Sequence, residues 1–322
     1  MTEPRDFEIL TPLVAGSIAW SDNARARTAI DLGDRVVELE GDDVARVLSG
    51  CDGRTTVSEL LAANGEGARE LIEALFEVGA LVDGADAWQI FHRQGSLGTA
   101  LGTAASDETV VGLQRRRYRP DLNSADVVAL EPVDSSVLEL TRTRSSSTAD
   151  TPFCDPDFAQ LSAMLAAIYT VRESGNGTKR GGNPSAGALY PLVIHLVLRR
   201  SVGELSPGLW WLDPFAGTLH RLGDADGAEA MFIPEPGCDK LLERASPLIF
   251  ISADISGPAR KYGARGYRYA LIESGAAMQS AYLAATELGV PLRAVGGIDD
   301  VRVPEFLGLP DSAVALLALI LG

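Results

Sequence analysis

Residues 269–288 narrow the possible folds more than any other stretch of this chain. They contain no proline and stop at Gly289 and Pro291, the punctuation of one long helix. Ser274, Gly275, Ala276, Ala277, Ala281, Ala284 and Ala285 lie along it, small residues that let another helix or a flat ligand approach closely. A helix of this kind needs apolar partners, and the flanking sequence supplies them. Residues 192–198, 248–255, 290–295 and 314–321 read as apolar strands, and 208–212 with 218–222, split by Asp-Pro-Phe-Ala-Gly, as a hairpin. Another helix opens at Asp155-Pro-Asp157 and runs through Phe158, Leu161, Leu165 and Ile168, with Pro156 at the tolerated first position. Helices and strands interleaved in this way from residue 136 onward predict an α+β fold.

Length and composition set the outer limits. A chain of 322 residues holds one large or two ordinary domains, and 46% apolar against 22% charged residues is enough core material to fold unaided. The longest apolar run, Ala313–Leu321, falls far short of the roughly 20 residues that a membrane-crossing helix needs. MTEPRDFEIL shows no basic flank followed by an apolar stretch, and Cys51, Cys154 and Cys238 have neither disulfide-framework nor zinc spacing. The expected home is therefore a reducing cytoplasm, with no metal site. A net charge of −16, from 44 acids and 28 bases, argues against nucleic acid or an anionic membrane as partner. Only Lys179, Lys240 and Lys261 are lysines, so each attracts attention.

Residues 1–95 read as a separate, acidic, winged-helix-like domain. A strand at 35–40 precedes a short helix through Val44 and Val47, for which Asp42 and Asp43 are the available caps. A second helix opens at Thr56 and Glu59, spaced as a capping box, and presents Leu60 and Leu61. A third carries Ala68, Leu71, Ile72, Leu75 and Phe76 on one stripe and ends at Gly79, before a strand at 80–82. The acidic helices disfavour DNA, and strand addition of a peptide to an exposed sheet edge fits the charge better. A purely structural appendage is the competing reading. Residues 96–135, with the basic run at 115–119, read as a connector, and 136–322 as the second domain.

Four strings in that second domain carry chemistry. Pro184-Ser-Ala-Gly-Ala-Leu-Tyr-Pro191 joins a glycine-rich loop to an apolar strand; Ser185 offers a hydroxyl and Gly187 permits close backbone approach. Arg142-Thr-Arg-Ser145 places two forked guanidiniums beside a hydroxyl, which suits a phosphate. Arg260-Lys-Tyr-Gly263 precedes the long helix, and Ala294-Val-Gly-Gly-Ile-Asp299 follows a strand. Each has a plainer alternative: a glycine–proline turn, two surface arginines, a surface lysine, a routine Gly-Gly turn. GxGxxG and P-loop patterns are absent from the sequence, and His195 and His220 read as structural.

In their order and spacing the four strings resemble the nitroreductase superfamily of flavoproteins, and within it the SagB-like thiazole/oxazole (azoline) dehydrogenases of modified-peptide biosynthesis. The Gly208-Leu-Trp-Trp-Leu-Asp-Pro hairpin, Gly266-Tyr-Arg-Tyr-Ala-Leu-Ile-Glu273 and Gln279 reinforce the resemblance, which covers about 136–322. It implies a nitroreductase-like FMN-binding fold and a homodimer with the flavin at the subunit interface. Arg142, Arg144 and Ser145 match the family's phosphate-binding string. Ser185, Ala186, Gly187 and Leu189 match its flavin-edge loop, and Gly296 and Gly297 the turn near the isoalloxazine. Lys261 and Tyr262 match the pair linked to catalysis in the dehydrogenase branch. Two departures stand out: Ser146, Ser147 and Thr148 follow the arginine string, and Gly-Ala-Ala-Met-Gln-Ser replaces the branch's common Gly-His-x-x-Gln-Asn. The sequence also ends at Gly322 without a basic tail, so Arg180 is expected to share the phosphate.

The implied reaction turns thiazolines or oxazolines of a ribosomally made precursor peptide into azoles, with a cyclodehydratase as a further partner. Lys261 serves as its base only if desolvation and neighbouring positive charge lower its pKa. Two rival functions remain: a general FMN nitroreductase acting on small electrophiles, and a flavin-free dimeric scaffold that recruits peptide.

Overall fold

The computed structural model describes residues 7–10, 12–15, 17–22, 27–32, 36–41, 43–88, 90, 92, 134–173, 179–234 and 238–322. The connector expected at 96–135, with its basic run, lies outside them except for Asp134 and Ser135. The chain forms two compact units, Met1–Leu97 with Asp254–Ile272, and Gly98–Ala253 with Glu273–Gly322. Residues 254–272 thus cluster with the N-terminal residues, although they fall inside the 136–322 segment of the sequence reading.

The first unit opens with β1 (Pro12–Val14), β2 (Ser17–Asp22), β3 (Arg27–Asp31) and β4 (Val36–Glu40). There follow α1 (Val44–Gly50), α2 (Val57–Asn64), α3 (Ala68–Glu77) and β5 (Leu81–Asp83). Strands β2, β3 and β4 form an antiparallel meander in which Arg27 is ion-paired to Glu38 and Glu40. β5 pairs instead with β1, Pro12 opposite Asp83, so the strands on either side of the three helices belong to different sheets. The capping box of α2 forms, the Thr56 N–H donating to Glu59 at 2.8 Å and the Glu59 N–H to the Thr56 hydroxyl at 3.2 Å. Leu60, Leu61, Ile72 and Leu75 then meet Ile30, Val47 and Leu81 in a small core.

The remaining elements begin with α4 (Ser136–Thr143), α5 (Phe158–Ile168), β6 (Val171–Glu173), β7 (Lys179–Gly181) and β8 (Leu192–Leu198). Next come β9 (Gly208–Asp213), β10 (Thr218–Gly223), α6 (Cys238–Arg244), β11 (Leu248–Asp254), α7 (Ser256–Tyr262) and α8 (Arg265–Leu288). The chain finishes with β12 (Leu292–Val295), α9 (Arg302–Leu307) and β13 (Ala313–Leu321). A six-stranded sheet runs β10-β9-β8-β11-β13-β12, with β8 antiparallel to both neighbours. On one face Val197, Leu209, Leu248 and Phe250 pack with Leu241, Leu242, Val303 and Leu307. Ile194, Leu196, Ile249 and Ile251 alternate onto the other face and are also buried. Burial on both faces explains why these strands read as unbroken apolar runs. The architecture is α+β, and among the described residues no helix is long and apolar enough to cross a membrane.

Three expectations shift. Pro156 lies outside the α5 helix rather than at its first position, because Asp157 caps it reciprocally with Gln160 at 2.8 and 2.9 Å. α8 starts at Arg265, before the expected 269, and stops at Gly289 with φ +68°. Lys261 and Tyr262 end a short helix of their own, α7, closed by Gly263 at φ +58°.

Candidate functional site

The segment between β7 and β8 is held in a conformation that its own residues do not favour. Gly187 has φ +64°, Ala188 +54° and Tyr190 +48°. For the two residues with side chains, such geometry costs on the order of 1–3 kcal/mol each and persists only when the surroundings dictate it. They do so here. Ser185 Oγ accepts the Tyr190 N–H at 2.8 Å, and Tyr190 Oη accepts the Gly181 N–H at 2.6 Å. Asn183 donates to the Ile168 carbonyl at 2.6 Å and accepts the Ser280 hydroxyl at 2.7 Å. Beneath the loop Tyr169 accepts the Leu192 N–H at 3.2 Å and donates to Glu273 at 2.7 Å. A cleft of about 650 Å³ results, lined by Arg180, Gly181, Gly182, Pro184, Ser185 and Gly187 among others. The Ser185 hydroxyl is engaged with Tyr190 and Glu273, so the loop offers a ligand its amides more than this side chain. Ala186 and Leu189 belong to the same short turn.

Thr143 and Ser145 of the arginine string, but neither arginine, border a second, smaller cavity of about 250 Å³. Ser145, Ser147, Thr151 and Tyr282 line it with Thr143 and Thr286, whose hydroxyls donate to the Glu139 and Tyr282 carbonyls of their own helices. Arg142 sits exposed in the last turn of α4, while the Arg144 guanidinium lies 4.8 Å from the centroid of the Tyr282 ring. The Tyr282 phenol is fixed by the Ser146 hydroxyl at 2.9 Å and the Ala294 N–H at 3.0 Å. Neither arginine lines the cavity; Arg144 approaches it only through the Tyr282 ring, so the lining itself offers hydroxyl and backbone groups and no carboxylate.

Helix α8 separates the two cavities. Glu273 and Ser280, seven residues apart, share the face beneath the glycine-rich loop, whereas Tyr282 points about 180° away from Glu273. The cavities have no lining residue in common. Gly296 and Gly297 line neither; the Gly297 carbonyl accepts the Ile233 N–H at 2.9 Å, and a Cβ on Gly296 would meet nothing within 4 Å.

Lys261 and Tyr262 belong to the first unit, where Lys261 is exposed with its ammonium 5.3 Å from the Tyr262 ring centroid. The Tyr262 ring is edge-on to Tyr269 at 5.1 Å. Of the histidines, His195 is buried inside β8, where desolvation pushes its pKa down to about 4, and His220 contacts the Thr218 hydroxyl at 3.0 Å. The sequence reading missed Tyr169, Asn183, Ser280 and Tyr282, and gave Glu273 no role. A buried acid near the middle of a small-residue helix was the one available signal.

A family model described as the nitroreductase family matches residues 155–322. A Methanocaldococcus jannaschii protein named as a nitroreductase is 31% identical over 159 residues, covering 49% of this chain and 77% of that protein. The microcin B17-processing protein McbC of Escherichia coli is 25% identical over 198 residues, covering 59% of this chain and 73% of McbC. Among solved structures, the E. coli microcin synthetase McbBCD complex with truncated pro-MccB17 bound matches with a TM-score of 0.59 at 22% identity. That likeness of fold covers 77% of this chain and 96% of the other. A family model over more than half the sequence, and a relative matched over most of its own length, agree: the chain belongs to the nitroreductase family of oxidoreductases.

Proposed function

We propose that this protein is an FMN-dependent azoline dehydrogenase, oxidising thiazoline or oxazoline rings in a ribosomally synthesised peptide to thiazoles or oxazoles. The observation that carries this reading is the reach of the likeness to the microcin synthetase. It extends over 77% of the chain, well beyond the 155–322 that the family model matches. A general nitroreductase has no need of the additional N-terminal part. The relative McbC processes a peptide, and its named complex holds a truncated pro-peptide, which supports a peptide substrate here.

The donors near the two cavities suit a flavin mononucleotide: Arg144 packs on Tyr282 at the edge of the smaller one, and Arg180 lines the loop cleft. Arg142, Arg144 and Ser145, with Arg180, would hold the phosphate, and the amides of Ser185, Ala186, Gly187 and Leu189 would line the ring edge; Gly296 and Gly297, which line neither cavity, would meet the ring only in the assembled site. When bound, FMN supplies the acceptor for the hydride equivalent lost from the azoline. The ring must also lose a proton. Lys261 Nζ receives it in this reading, and the Tyr262 phenol orients the ring. Lys261 is exposed, so in this reading the substrate or a second subunit encloses it.

One chain sets the cavity bordered by Ser145 and Tyr282 and the loop cleft on opposite faces of α8. A homodimer resolves this, each flavin taking the arginine string from one subunit and the loop from the other. Helix α4 favours such a contact, for it buries none of its residues and exposes Val137 and Leu138. The N-terminal unit, read as winged-helix-like, would grip the precursor along a free edge of the β2-β3-β4 meander, beside a cyclodehydratase partner in the cytoplasm. The test is mass spectrometry of an azoline-bearing peptide incubated with the FMN-loaded protein. A loss of about 2 Da per ring, two hydrogens in all, is expected. NAD(P)H-dependent reduction of nitroarenes without ring oxidation would sink the proposal in favour of a general nitroreductase, and a protein that takes up no FMN would favour a scaffold.

A further inference from the structure

We propose that Glu273 is a positioning residue, which sets the shape of the strained 184–191 loop by orienting two hydroxyls that each hold a backbone amide of the loop end. The idea rests on the reading of that loop as the flavin edge, and adds to it a residue that touches no ligand. Glu273 is 2% exposed, on the face of α8 beneath the loop. Tyr169 Oη accepts the Leu192 N–H at 3.2 Å, so its proton is left to donate to Glu273 Oε1 at 2.7 Å. Ser185 Oγ accepts the Tyr190 N–H at 2.8 Å, and its proton likewise goes to the Glu273 carboxyl. Tyr190 and Leu192 flank Pro191, which has no N–H to offer. One carboxyl therefore directs both hydroxyls that clamp the loop where Tyr190 takes up φ +48°.

Burial alone makes this an expensive place for an acid. Desolvation raises the Glu273 pKa despite the two donated hydrogen bonds. A leucine or methionine there would suit a helix core, and replacing buried polar groups with apolar ones is often neutral or stabilising. An acid kept at such a position points to a requirement other than stability. Ser280, seven residues further on the same face, secures the start of the loop through Asn183.

Hydrogen–deuterium exchange on the full chain without flavin separates loop positioning from the flavin reading. Glu273→Leu should speed exchange of the Tyr190 and Leu192 amides by about tenfold or more, with the rest of β8 and β11 unchanged. Glu273→Gln, which still accepts from Tyr169 and can donate to Ser185, should stay within about threefold of the parent. Uniform acceleration across the sheet in Glu273→Leu would mean a merely structural residue, and no change at the loop would refute positioning outright. A double-mutant cycle guards against a poorly folded variant. Ser185→Ala and Glu273→Leu should together cost little more loop protection than the larger single change, and additive costs would overturn the proposal. FMN titration of the same proteins is read separately. Weaker binding by Glu273→Leu with Glu273→Gln intact supports the flavin-edge role. A parent protein that binds no FMN but shows the exchange pattern would defeat the flavin reading and leave Glu273 as the loop's positioning residue.

Discussion

Lys261 ends helix α7 with its ammonium in the open, above the ring of Tyr262. An exposed side chain whose contact is the ring of its own neighbour can be removed cheaply, so Lys261→Ala should leave folding and FMN binding intact. Azole formation should nonetheless fall by about two to four decades, the scale for loss of a general base. Turnover at the parent rate, followed by mass spectrometry, would reassign Lys261 to the surface and pass the role to Tyr262. His195 behaves in the opposite way. Its pKa of about 4 in the fold lies below the ordinary 6.5, so the buried imidazole stays neutral while the unfolded chain takes up a proton first. The stability it contributes is whole above about pH 6.5 and is lost as the pH falls towards 4, by at most about 3 kcal/mol. Denaturant unfolding at pH 7, 5.5 and 4 should show His195→Leu losing less stability than the parent over that range. Parallel slopes would show that the burial cost is relieved in some other way. That His195 is buried was legible from a histidine set in an apolar strand; that Glu273 meets Tyr169 and Ser185 was not, because those contacts bridge 104 and 88 positions of sequence.

At the scale of elements, glycine separates a steric requirement from a mere turn. A Cβ on Gly181 would lie 2.7 Å from Tyr190 Cε1 and 3.2 Å from the Thr170 carbonyl oxygen. Tyr190 would have to swing away and release the loop that it helps to tie. Gly181→Ala should therefore weaken FMN binding by about tenfold, on the order of 1.4 kcal/mol, in a fluorescence titration. Gly296→Ala, with open space around the new methyl, should change it by less than about twofold, within the ordinary scatter of surface changes. Equal effects at both positions would remove the loop clamp as the cause. Most elements could be read locally: the Thr56 and Glu59 box, the Gly289 stop of α8, and the hairpin about residues 213–218 all form from neighbours in sequence. Pairing was harder. β5 joins β1 across some 70 residues, and nothing in either short strand names its partner.

For the molecule as a whole, a shared site makes a prediction that a self-contained site does not. On the proposed shared site, a protein with Arg142→Ala and Arg144→Ala would lack one half of each flavin site, and one with a disabled loop, Gly181→Trp, would lack the other. Each alone should be inactive. Co-refolded in equal amounts, about half the dimers would be mixed, each with one intact site in two, restoring roughly a quarter of the parent activity. No recovery, with mixed dimers confirmed by native mass spectrometry, would mean that each subunit holds its own flavin. By itself the sequence determined the α+β character, the long small-residue helix, the acidic N-terminal part and the strings that mark a nitroreductase, since periodicity, caps and turn residues act over a few positions. Only the tertiary structure decided that 254–272 clusters with the N-terminal residues, and that Arg144 and the glycine-rich loop meet opposite faces of α8. It alone also placed a buried acid under the strained loop. Those facts depend on which distant surfaces bury one another, and burial is a property of the packed chain rather than of any stretch of it.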